Sequence, residues 1–516
     1  MNNPALLRTL IVYAICMPLA VAIGYIATMA SYAPTYSDFG AFGIIALVLC
    51  APILLRWHNL LLVASWNMAV TLFFLPGKPS LLLLMTAISL GISLFQRALS
   101  SERRFVSAPQ ITLPLFCLTA VVLFTAKLTG GIGLHALGSD VWGGKKYISL
   151  LSGIAAYFAL TARRIQPQQR RLYVALFFLC AFTSAIGDLF TFVPSSFNFI
   201  FAIFPPNGAA FLEGPVRLGG VSVASSAFFT FMLAYYGIPK IFFGGKLWRP
   251  LALLLFFLLT FLGGFRSFVF ILVLIFGIQF FLQGMHRTKL LPVFFFMGIC
   301  SVVIIVPFAG KLPYTFQRSL AFLPNVNQDI KMQADSSADW RWQMVTAVAH
   351  QVPDYLLLGK GYALSESELE SASIVSSSNF AENWVGAVAG DYHNGPLSVI
   401  IPFGVWGVVA FLWFQIASLR ALYLNFRYGD KQLQNVNALL FSAFLTHTLI
   451  FWSPIFGSLY SDMAMFAGLI GLSISLNGGI AKKPAKKPAP AQAEKIISPF
   501  SRRPFAPALS RRNFSA

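Results

Sequence analysis

Four arginines and one histidine are the residues of this sequence whose types and positions could do chemistry together. A guanidinium presents a planar fork of donors that matches phosphate, and an imidazole can accept a proton from a hydroxyl near neutral pH. Together they suit a substrate with a diphosphate leaving group and an acceptor hydroxyl. No acidic pair at metal-ligating spacing accompanies them, so we expect arginine to act as the cation, without a metal. The five residues are Arg217, Arg266, Arg318, Arg341 and His393.

Arg266 and Arg217 each have a structural explanation that the sequence leaves open. Arg266, in TFLGGFRSFVF, lies at the turn between two short apolar runs. An arginine there costs about 2.5–3.5 kcal/mol at mid-helix and less near an end, so a functional role is the default, and snorkelling to the interface is the alternative. Arg217, in FLEGPVRLGGVSVAS, could instead pair with Glu213.

Arg341 lies in a predicted helix, SADWRWQMVTAVAHQV, behind the capping candidates Asp335, Ser336 and Ser337. This start would place Arg341 in the first turn, where free backbone N–H groups and a guanidinium together favour an anion. The alternative is a solvated arginine that pairs with Asp335 or Asp339.

His393 differs from the other histidines because it stands in GDYHNGPLSVIIPFG, where a long polar segment enters an apolar run. Asp391 precedes it by two residues and Asn394 follows it. A lone histidine is usually structural, so the hypothesis of a general base depends on the arginines nearby. His350 ends the predicted helix, where the helix dipole alone would favour it.

Composition makes the chain a polytopic membrane protein. Of its 516 residues, 57% are hydrophobic and only 10% are charged, against about 25% charged in an average soluble domain. The mean hydropathy is +0.73. The net charge of +20 would suggest nucleic-acid binding in a soluble protein. In a membrane protein, the distribution of basic residues instead indicates which connections face the cytoplasm, so no nucleic-acid partner is expected. The five cysteines lie in apolar runs without a CxxC pair, which is typical of small buried hydrophobes.

Apolar runs of about 20 residues predict fourteen membrane-spanning helices. The number could be twelve or thirteen, because 38–75 and 250–283 are each short pairs around a polar break. The predicted spans are 9–30, 38–55, 58–75, 80–95, 111–128, 147–162, 172–192, 220–237, 250–264, 267–283, 290–308, 396–418, 436–453 and 459–476.

The basic residues predict the orientation of these spans. With both termini in the cytoplasm, 26 of the 37 Lys and Arg residues fall on the cytoplasmic side, as the positive-inside rule requires. The sequence then divides into spans over 1–308, a large and partly helical periplasmic loop over 309–395, C-terminal spans over 396–476, and a disordered basic cytoplasmic tail over 477–516.

Four stretches resemble the O-antigen ligase and polymerase superfamily of bacterial membrane glycosyltransferases. The family pattern has arginines before one span and at a tight outer turn, an Arg…Trp helix leading to Pro and Gly-x-Gly, and a His-Asn pair before a Gly-x-x-Gly span. Two departures are Phe265, where the pattern has a small hydroxyl residue, and Phe403, where an acidic residue is common. The stretches are VRLGGVSVAS (216–225), GGFRSFVFILVLIF (263–276), RWQMVTAVAHQVPDYLLLGKGY (341–362) and HNGPLSVIIPFGVWGVVAF (393–411).

The resemblance implies an all-α, GT-C-like fold of about 12–14 transmembrane helices, without a nucleotide-sugar site and without a cofactor. It implies a donor glycan on polyprenyl diphosphate and an acceptor hydroxyl of a glycan, lipid A core or protein. By position, Arg217 and Arg266 would hold the diphosphate, and His393 would activate the acceptor. Arg341 would orient the donor, with Asp391 and Asn394 beside it as binding residues.

Three functions remain open from the sequence. A ligase would move finished glycan to an acceptor, whereas a polymerase of the same superfamily would join repeat units. A flippase for lipid-linked oligosaccharides is the alternative from another class. A transporter should show repeat symmetry and charges near the midplane, whereas here the charges gather at one face. The oligomeric state is not indicated.

Overall fold

The computed structural model describes residues 36–73, 75, 77–100, 105–133, 142–206, 215–368, 370, 390–453 and 456–483, with side chains from residue 49 onward. The predicted span 9–30, Cys16, His135, Glu213 and most of the basic tail lie outside the described residues.

The described part of the chain folds as α-helices joined by turns and short 3₁₀ segments. The helices are α1 Tyr36–Ser65, α2 Leu81–Leu99, α3 Pro109–Leu128, α4 Gly144–Thr161, α5 Arg170–Leu179, α6 Ser184–Asp188, α7 Asn198–Ile203, α8 Gly219–Phe242, α9 Trp248–Leu259, α10 Arg266–Leu282, α11 Leu290–Phe308, α12 Tyr314–Ser319, α13 Gln328–Ala349, α14 Val352–Tyr355, α15 Gly395–Tyr428, α16 Gln434–Phe451 and α17 Leu459–Asn477.

The helical, multi-pass membrane architecture is confirmed. Seven helical segments among the described residues are long and apolar enough to cross a membrane, and three shorter apolar helices accompany them. Helices α4 and α16, of 18 residues each, occupy the predicted spans 147–162 and 436–453. The total of 12–14 spans and the domain boundaries stay predictions.

The separation of spans 38–55 and 58–75 is wrong. Residues Tyr36–Ser65 form one helix, α1, which runs through the polar group that was expected to break it. Arg56 and Trp57 are not helix breakers, and His58 is buried with its Nδ1 2.9 Å from the Ser89 hydroxyl of α2. A buried partner therefore satisfies the polar residue within the helix, so the chain has no need to leave the bundle.

The predicted span 172–192 is a bent helix that alternates α-helical and 3₁₀ turns and ends beside α8. Its Asp188 is buried and accepts hydrogen bonds from the backbone N–H groups of Gly220 and Val221, at 2.9 and 2.7 Å. Those N–H groups belong to the first turn of α8, which has no intrahelical acceptor for them. Asp188 thus fixes the start of α8, immediately after Arg217.

Helices α4, α15, α16 and α17 form the centre of the bundle. Buried phenylalanines from three of these helices pack ring against ring, with Phe411, Phe451 and Phe466 within 5.1–6.0 Å of one another. Helices α4 and α17 approach closely at Gly153, where a Cβ would lie 3.0 Å from the backbone nitrogen of Ala464. Small residues at such crossings are typical of helix packing in membranes.

Helix α15 is broken at Gly404, which has a φ of +61°, and the loop from Leu356 to Gly361 packs into the break. The backbone N–H of Lys360 donates to Ile401 O at 2.7 Å, and that of Gly361 donates to Pro402 O at 2.9 Å. In return, Val405 donates to Leu356 O at 2.7 Å. The loop therefore satisfies the groups that Pro402 and the kink leave without helical partners. This joint connects residues Gly359–Gly361 of the loop with residues Pro402–Gly404 of α15.

The predicted start of the loop helix is wrong. Helix α13 begins at Gln328, because the Asn327 side chain accepts from Asp329 N at 2.9 Å and caps it. The run Asp335–Ser337 is therefore interior, and Arg341 lies in the second half of the helix. The hypothesis that the N-terminus of this helix joins Arg341 in an anion site is accordingly wrong. His350 follows the helix as expected, with its Nδ1 2.7 Å from Thr346 O.

The joint with α15 predicts that Gly359→Ala destabilises the protein. Gly359 has a φ of +73°, and a Cβ would lie 2.3 Å from Pro402 O. The left-handed backbone alone costs about 1–2 kcal/mol for a residue with a Cβ. We expect a lower Tm for the purified full-length protein in detergent.

Gly277→Ala in α10 is the matched control, since no atom lies within 4 Å of its Cβ position and its φ is helical. This substitution should leave the Tm unchanged or raise it slightly, by up to about 1 kcal/mol of stability. Equal Tm values for the two variants would contradict the importance of the joint.

Candidate active site

The four arginines singled out in the sequence line one cavity of about 680 Å³. It lies between the α9–α10 turn, α12 and α13, and Phe456, just before α17, contributes to its wall. The predicted residues Arg217, Arg266 and Arg341 are thus brought together, and Arg318 of α12 joins them. The cavity makes a concentrated positive site where the sequence had offered only separate residues.

The turn between α9 and α10 sets the spacing of two of these side chains. Gly264 has a φ of +65°, a conformation that favours glycine. A Cβ at this position would lie 3.3 Å from Arg217 Nε and 3.4 Å from Arg318 Cδ. Glycine therefore makes the turn possible and lets two guanidinium-bearing chains approach the backbone from the cavity side.

Arg217 lines the cavity, and a hydrogen bond and an aromatic ring fix its side chain. It is 8% exposed, and its Nε donates to Gly263 O at 3.0 Å. The guanidinium carbon lies 4.6 Å from the ring centroid of Phe265, a cation–π contact. This contact gives a physical reason for the phenylalanine that departs from the family pattern, because the ring orients the neighbouring arginine.

Arg266 begins α10 and joins it to the loop helix. Its Nη2 donates to the backbone oxygen of Ala334 in α13. No side chain caps the N-terminus of this 17-residue helix at Phe265. The free N–H groups there carry a partial positive charge that adds to the attraction for an anion. The helix N-terminus at this site is therefore that of α10.

Arg318 and Arg341 complete the ring from the loop. Arg318 Nη1 donates to the Tyr314 hydroxyl at 3.3 Å, and this hydroxyl donates to Gln333 Oε1 at 2.9 Å. Arg341 Nη1 donates to Ser337 O at 3.2 Å, one turn earlier in α13. Each side chain thus has one polar anchor, and the remaining donors of its guanidinium are available to a ligand.

Within the described residues, no carboxylate forms an ion pair with any of the four arginines. The alternative pairing of Arg341 with Asp335 or Asp339 is not formed, and Glu213 lies outside the described residues. Burial lowers the pKa of Arg217, and the nearby Arg318 lowers it further. Burial also lowers the pKa of Arg341, followed by the charges of Arg266 and Arg318. Since arginine stays protonated in proteins, the mutual repulsion becomes affinity for an anion.

One wall of the cavity is apolar and continues onto the surface of the bundle. Phe270 and Val273 project from α10, and Phe322 follows α12. All three are more than half exposed, which is the arrangement expected for side chains that face lipid. The cavity therefore offers charge at one end and hydrocarbon at the other.

His393 lies at the edge of this arrangement. It is exposed, has a φ of +46°, and its ring centroid is 5.5 Å from that of Trp340, the neighbour of Arg341 in α13. Two residues later, the backbone N–H of Gly395 donates to the oxygen of Phe456, which lines the cavity. The segment that carries His393 therefore contacts the arginine site at two places, α13 and Phe456.

Asn394 and Asp391 are positioned by other contacts. Asn394 is buried and caps α15, with its Oδ1 accepting from Leu397 N at 2.9 Å. Asp391 does not line the arginine cavity, and it interacts electrostatically with Lys146 and with the Tyr460 hydroxyl. Both residues therefore fix the segment that carries His393, and direct contact with a donor stays a prediction for them.

The sequence analysis grouped Arg318 with the other three arginines but gave it no individual role, and it did not single out Asp188. The signal for Arg318 was its place on the same predicted side as the other arginines. Nothing in the sequence connected Asp188 with the start of α8. Among the described residues, no group of three or more His, Cys, Asp or Glu is placed to hold a metal ion.

The cavity predicts that the purified protein binds inorganic pyrophosphate. Arg318→Gln should weaken this binding about tenfold or more, since a hydrogen bond to a charged group contributes about 1.5–3 kcal/mol. Isothermal titration calorimetry of the full-length protein in detergent measures the effect. Lys311→Gln is the control, because Lys311 is exposed on the same loop and does not line the cavity. Equal losses in both variants would contradict a specific site.

Comparison with known protein families adds an independent finding. Residues 251–412 match the family model Wzy_C, described as O-antigen ligase, whereas no curated protein matches the chain. The matched segment runs from α9 into α15 and contains Arg266, Arg318, Arg341 and His393, but not Arg217. Over residues 251–412, the chain is therefore similar to the O-antigen ligase family.

Proposed function

We propose that the protein moves a glycan from polyprenyl diphosphate to an acceptor hydroxyl at the periplasmic face of a bacterial inner membrane, as an O-antigen ligase. The observation that carries this proposal is the cavity of four arginines without an ion-paired carboxylate, with an apolar wall on one side and His393 at its edge. A lipid diphosphate has the same division into charge and hydrocarbon.

The arginines would bind the diphosphate and stabilise it as it leaves. Arg266 follows the tight turn, Arg217 donates from before α8 to Gly263 O of the same turn, and Arg318 and Arg341 line the cavity from the loop. The negative charge on the bridging oxygen grows as its bond to the sugar breaks, so preorganised cations stabilise the transition state more than the ground state. The polyprenyl chain would lie along Phe270 and Val273.

His393 would act as the general base. The acceptor oxygen forms a bond to the anomeric carbon, the carbon–oxygen bond to the diphosphate breaks, and its electron pair stays on the diphosphate. The hydroxyl proton passes to the imidazole. Asp391 and Asn394 support this step by fixing the segment on both sides of His393, through Lys146 and Tyr460 and through the cap of α15.

We propose that the reaction needs no metal, because guanidinium groups supply the positive charge that a divalent cation provides elsewhere. The predicted orientation, with both termini in the cytoplasm, puts the cavity on the periplasmic side. Glycan, lipid A core and protein are the acceptor classes with a suitable hydroxyl.

A polymerase that joins repeat units is the second candidate, since the same arginines and histidine would serve it. A deletion strain distinguishes the two on a gel of surface glycan. Loss of a ligase leaves lipid-linked polymer, whereas loss of a polymerase leaves chains of one repeat. A flippase is less well supported, because the charges of the site gather at one end of the bundle instead of the midplane.

The proposal predicts that His393→Ala lowers the transfer rate about 10²–10⁴-fold, as expected for loss of a general base. The measurement is transfer from a polyprenyl-diphosphate glycan at saturating donor, in excess EDTA, with full-length protein. His350→Ala is the control and should be mild, since His350 is exposed and its Nδ1 lies 2.7 Å from Thr346 O in its own helix turn. A His393→Ala rate within a fewfold of wild type would remove the base from the mechanism.

A complete loss of wild-type activity in EDTA, reversed by Mg²⁺, would refute the metal-free proposal.

A second prediction is that Arg266→Lys impairs transfer nearly as much as Arg266→Ala. A planar fork makes two parallel hydrogen bonds to a diphosphate while also contacting the backbone of Ala334, and a point ammonium cannot reproduce both. The same assay, with expression and insertion checked by Tm, measures both variants. Near-normal transfer by the lysine variant would mean that charge alone matters at this position.

A further inference from the structure

A second basic cavity lies at the opposite end of the bundle, and the proposed function does not use it. Helix α8 begins beside Arg217, and its regular part, from Gly219 to Tyr236, spans about 27 Å. Lys240 follows the kink at Gly237, which has a φ of +69°, so it is remote from the first cavity. The second cavity has a volume of about 570 Å³ and is lined by five cations from four parts of the chain: Arg170 and Arg171 of α5, Lys240 of α8, Arg249 of α9, and Lys431 before α16.

The charge of this cavity is only partly neutralised. Within the described residues, one carboxylate is paired with these cations, that of Asp430, at 2.6 Å from Arg170 Nη1. The backbone N–H of Gln432 and the Arg170 guanidinium lower the pKa of Asp430, so this carboxylate is ionised and offsets one positive charge. Five cations against one carboxylate leave a clear excess of positive charge around a polar space.

Two of the cations are built into the protein, unlike ordinary topology-setting charges that extend into water. Arg170 is 7% exposed, and its Nε is buried without a hydrogen-bond partner. Arg249 also has a buried Nε without a partner, while its Nη1 donates to Lys240 O at 2.9 Å. The protein therefore holds both side chains by burial, which fixes their positions at the cavity wall.

Aromatic rings hold the guanidiniums in place. The guanidinium carbon of Arg249 lies 4.5 Å from the ring centroid of Tyr236, and that of Arg171 lies 6.0 Å from the ring of Tyr235. Arg249 also lies 5.8 Å from the ring of Trp248. Side chains fixed in this way lose little entropy when an anion binds.

The surroundings indicate the source of the anion. Tyr235 and Trp248 are exposed beside the cavity, at helix ends where aromatic residues mark the membrane interface. From this point the exposed Leu251, Leu255 and Leu258 continue along one side of α9 with helical spacing. The acyl chains of a lipid whose headgroup lies in the cavity could therefore pack along this apolar side of α9.

We propose that this cavity binds the phosphate-bearing headgroup of an anionic phospholipid, in the leaflet opposite the arginine site. The site is independent of the transfer reaction. It joins α5, α8, α9 and the start of α16 through one ligand, so binding stabilises the packing of these helices.

The test is native mass spectrometry of the full-length protein with phosphatidylglycerol or phosphatidylcholine, together with the Tm in nanodiscs of each lipid. Wild type should retain phosphatidylglycerol and gain Tm from it, and phosphatidylcholine should do neither. R171Q/R249Q should bind phosphatidylglycerol about tenfold more weakly, since two cations near the headgroup are removed. Lys431→Gln, at an exposed position, should lose a smaller part and reports on the site if the double variant folds poorly.

R287Q/K289Q is the matched control, because both residues are exposed cations after α10, at the same end of the bundle, and neither lines the cavity. It should bind phosphatidylglycerol as wild type does. Equal loss in both double variants would mean diffuse surface attraction and would overturn the site. Equal retention of phosphatidylcholine would overturn its preference for an anion. Protection by inorganic phosphate in detergent, without protection by phosphatidylglycerol, would overturn the lipid as its source.

Discussion

The repulsion between four guanidiniums in one cavity is the constraint around which the candidate site is built. Two unit charges 4 Å apart repel by about 4 kcal/mol at the effective dielectric constant typical near a protein surface, and no carboxylate among the described residues pairs with these arginines. Backbone oxygens of Gly263, Ala334 and Ser337 accept from three of them instead. Neutral acceptors hold the side chains in place without cancelling the charge, so the attraction for an anion is preserved.

Such an arrangement requires rigid support, and the surrounding fold supplies it from distant parts of the chain. Asp188 fixes the start of α8 behind Arg217, and Gly264 allows the turn that carries Arg266. The loop that carries Arg318 and Arg341 is tied to α15 by backbone hydrogen bonds at Lys360 and Gly361. Each arginine is therefore placed by a different contact, and these contacts are made of backbone groups, caps and glycines that composition does not reveal.

The sequence predicted what depends on hydrophobicity and on local order. Apolar runs predicted the helical membrane architecture, and the short runs on both sides of Arg266 predicted the turn that joins α9 and α10. The sequence-based prediction was wrong where a contact with another part of the chain determines where a helix begins or ends. His58 stays inside α1 because Ser89 lies opposite it, and Asn327 caps α13 well before the expected start. Arg318 stood out by no local signal, since its role follows from the packing of α12 against the turn.

The joint between the loop and the broken helix also governs the order in which the protein can be assembled. The ribosome makes residues 356–361 about 40 residues before Ile401 and Pro402, whose oxygens accept hydrogen bonds from this segment. During synthesis, the backbone groups of this segment cannot make their final hydrogen bonds until α15 has formed. The cavity wall is finished only when Phe456 arrives between α16 and α17. A nascent chain thus carries its four arginines before the cavity that they line is complete.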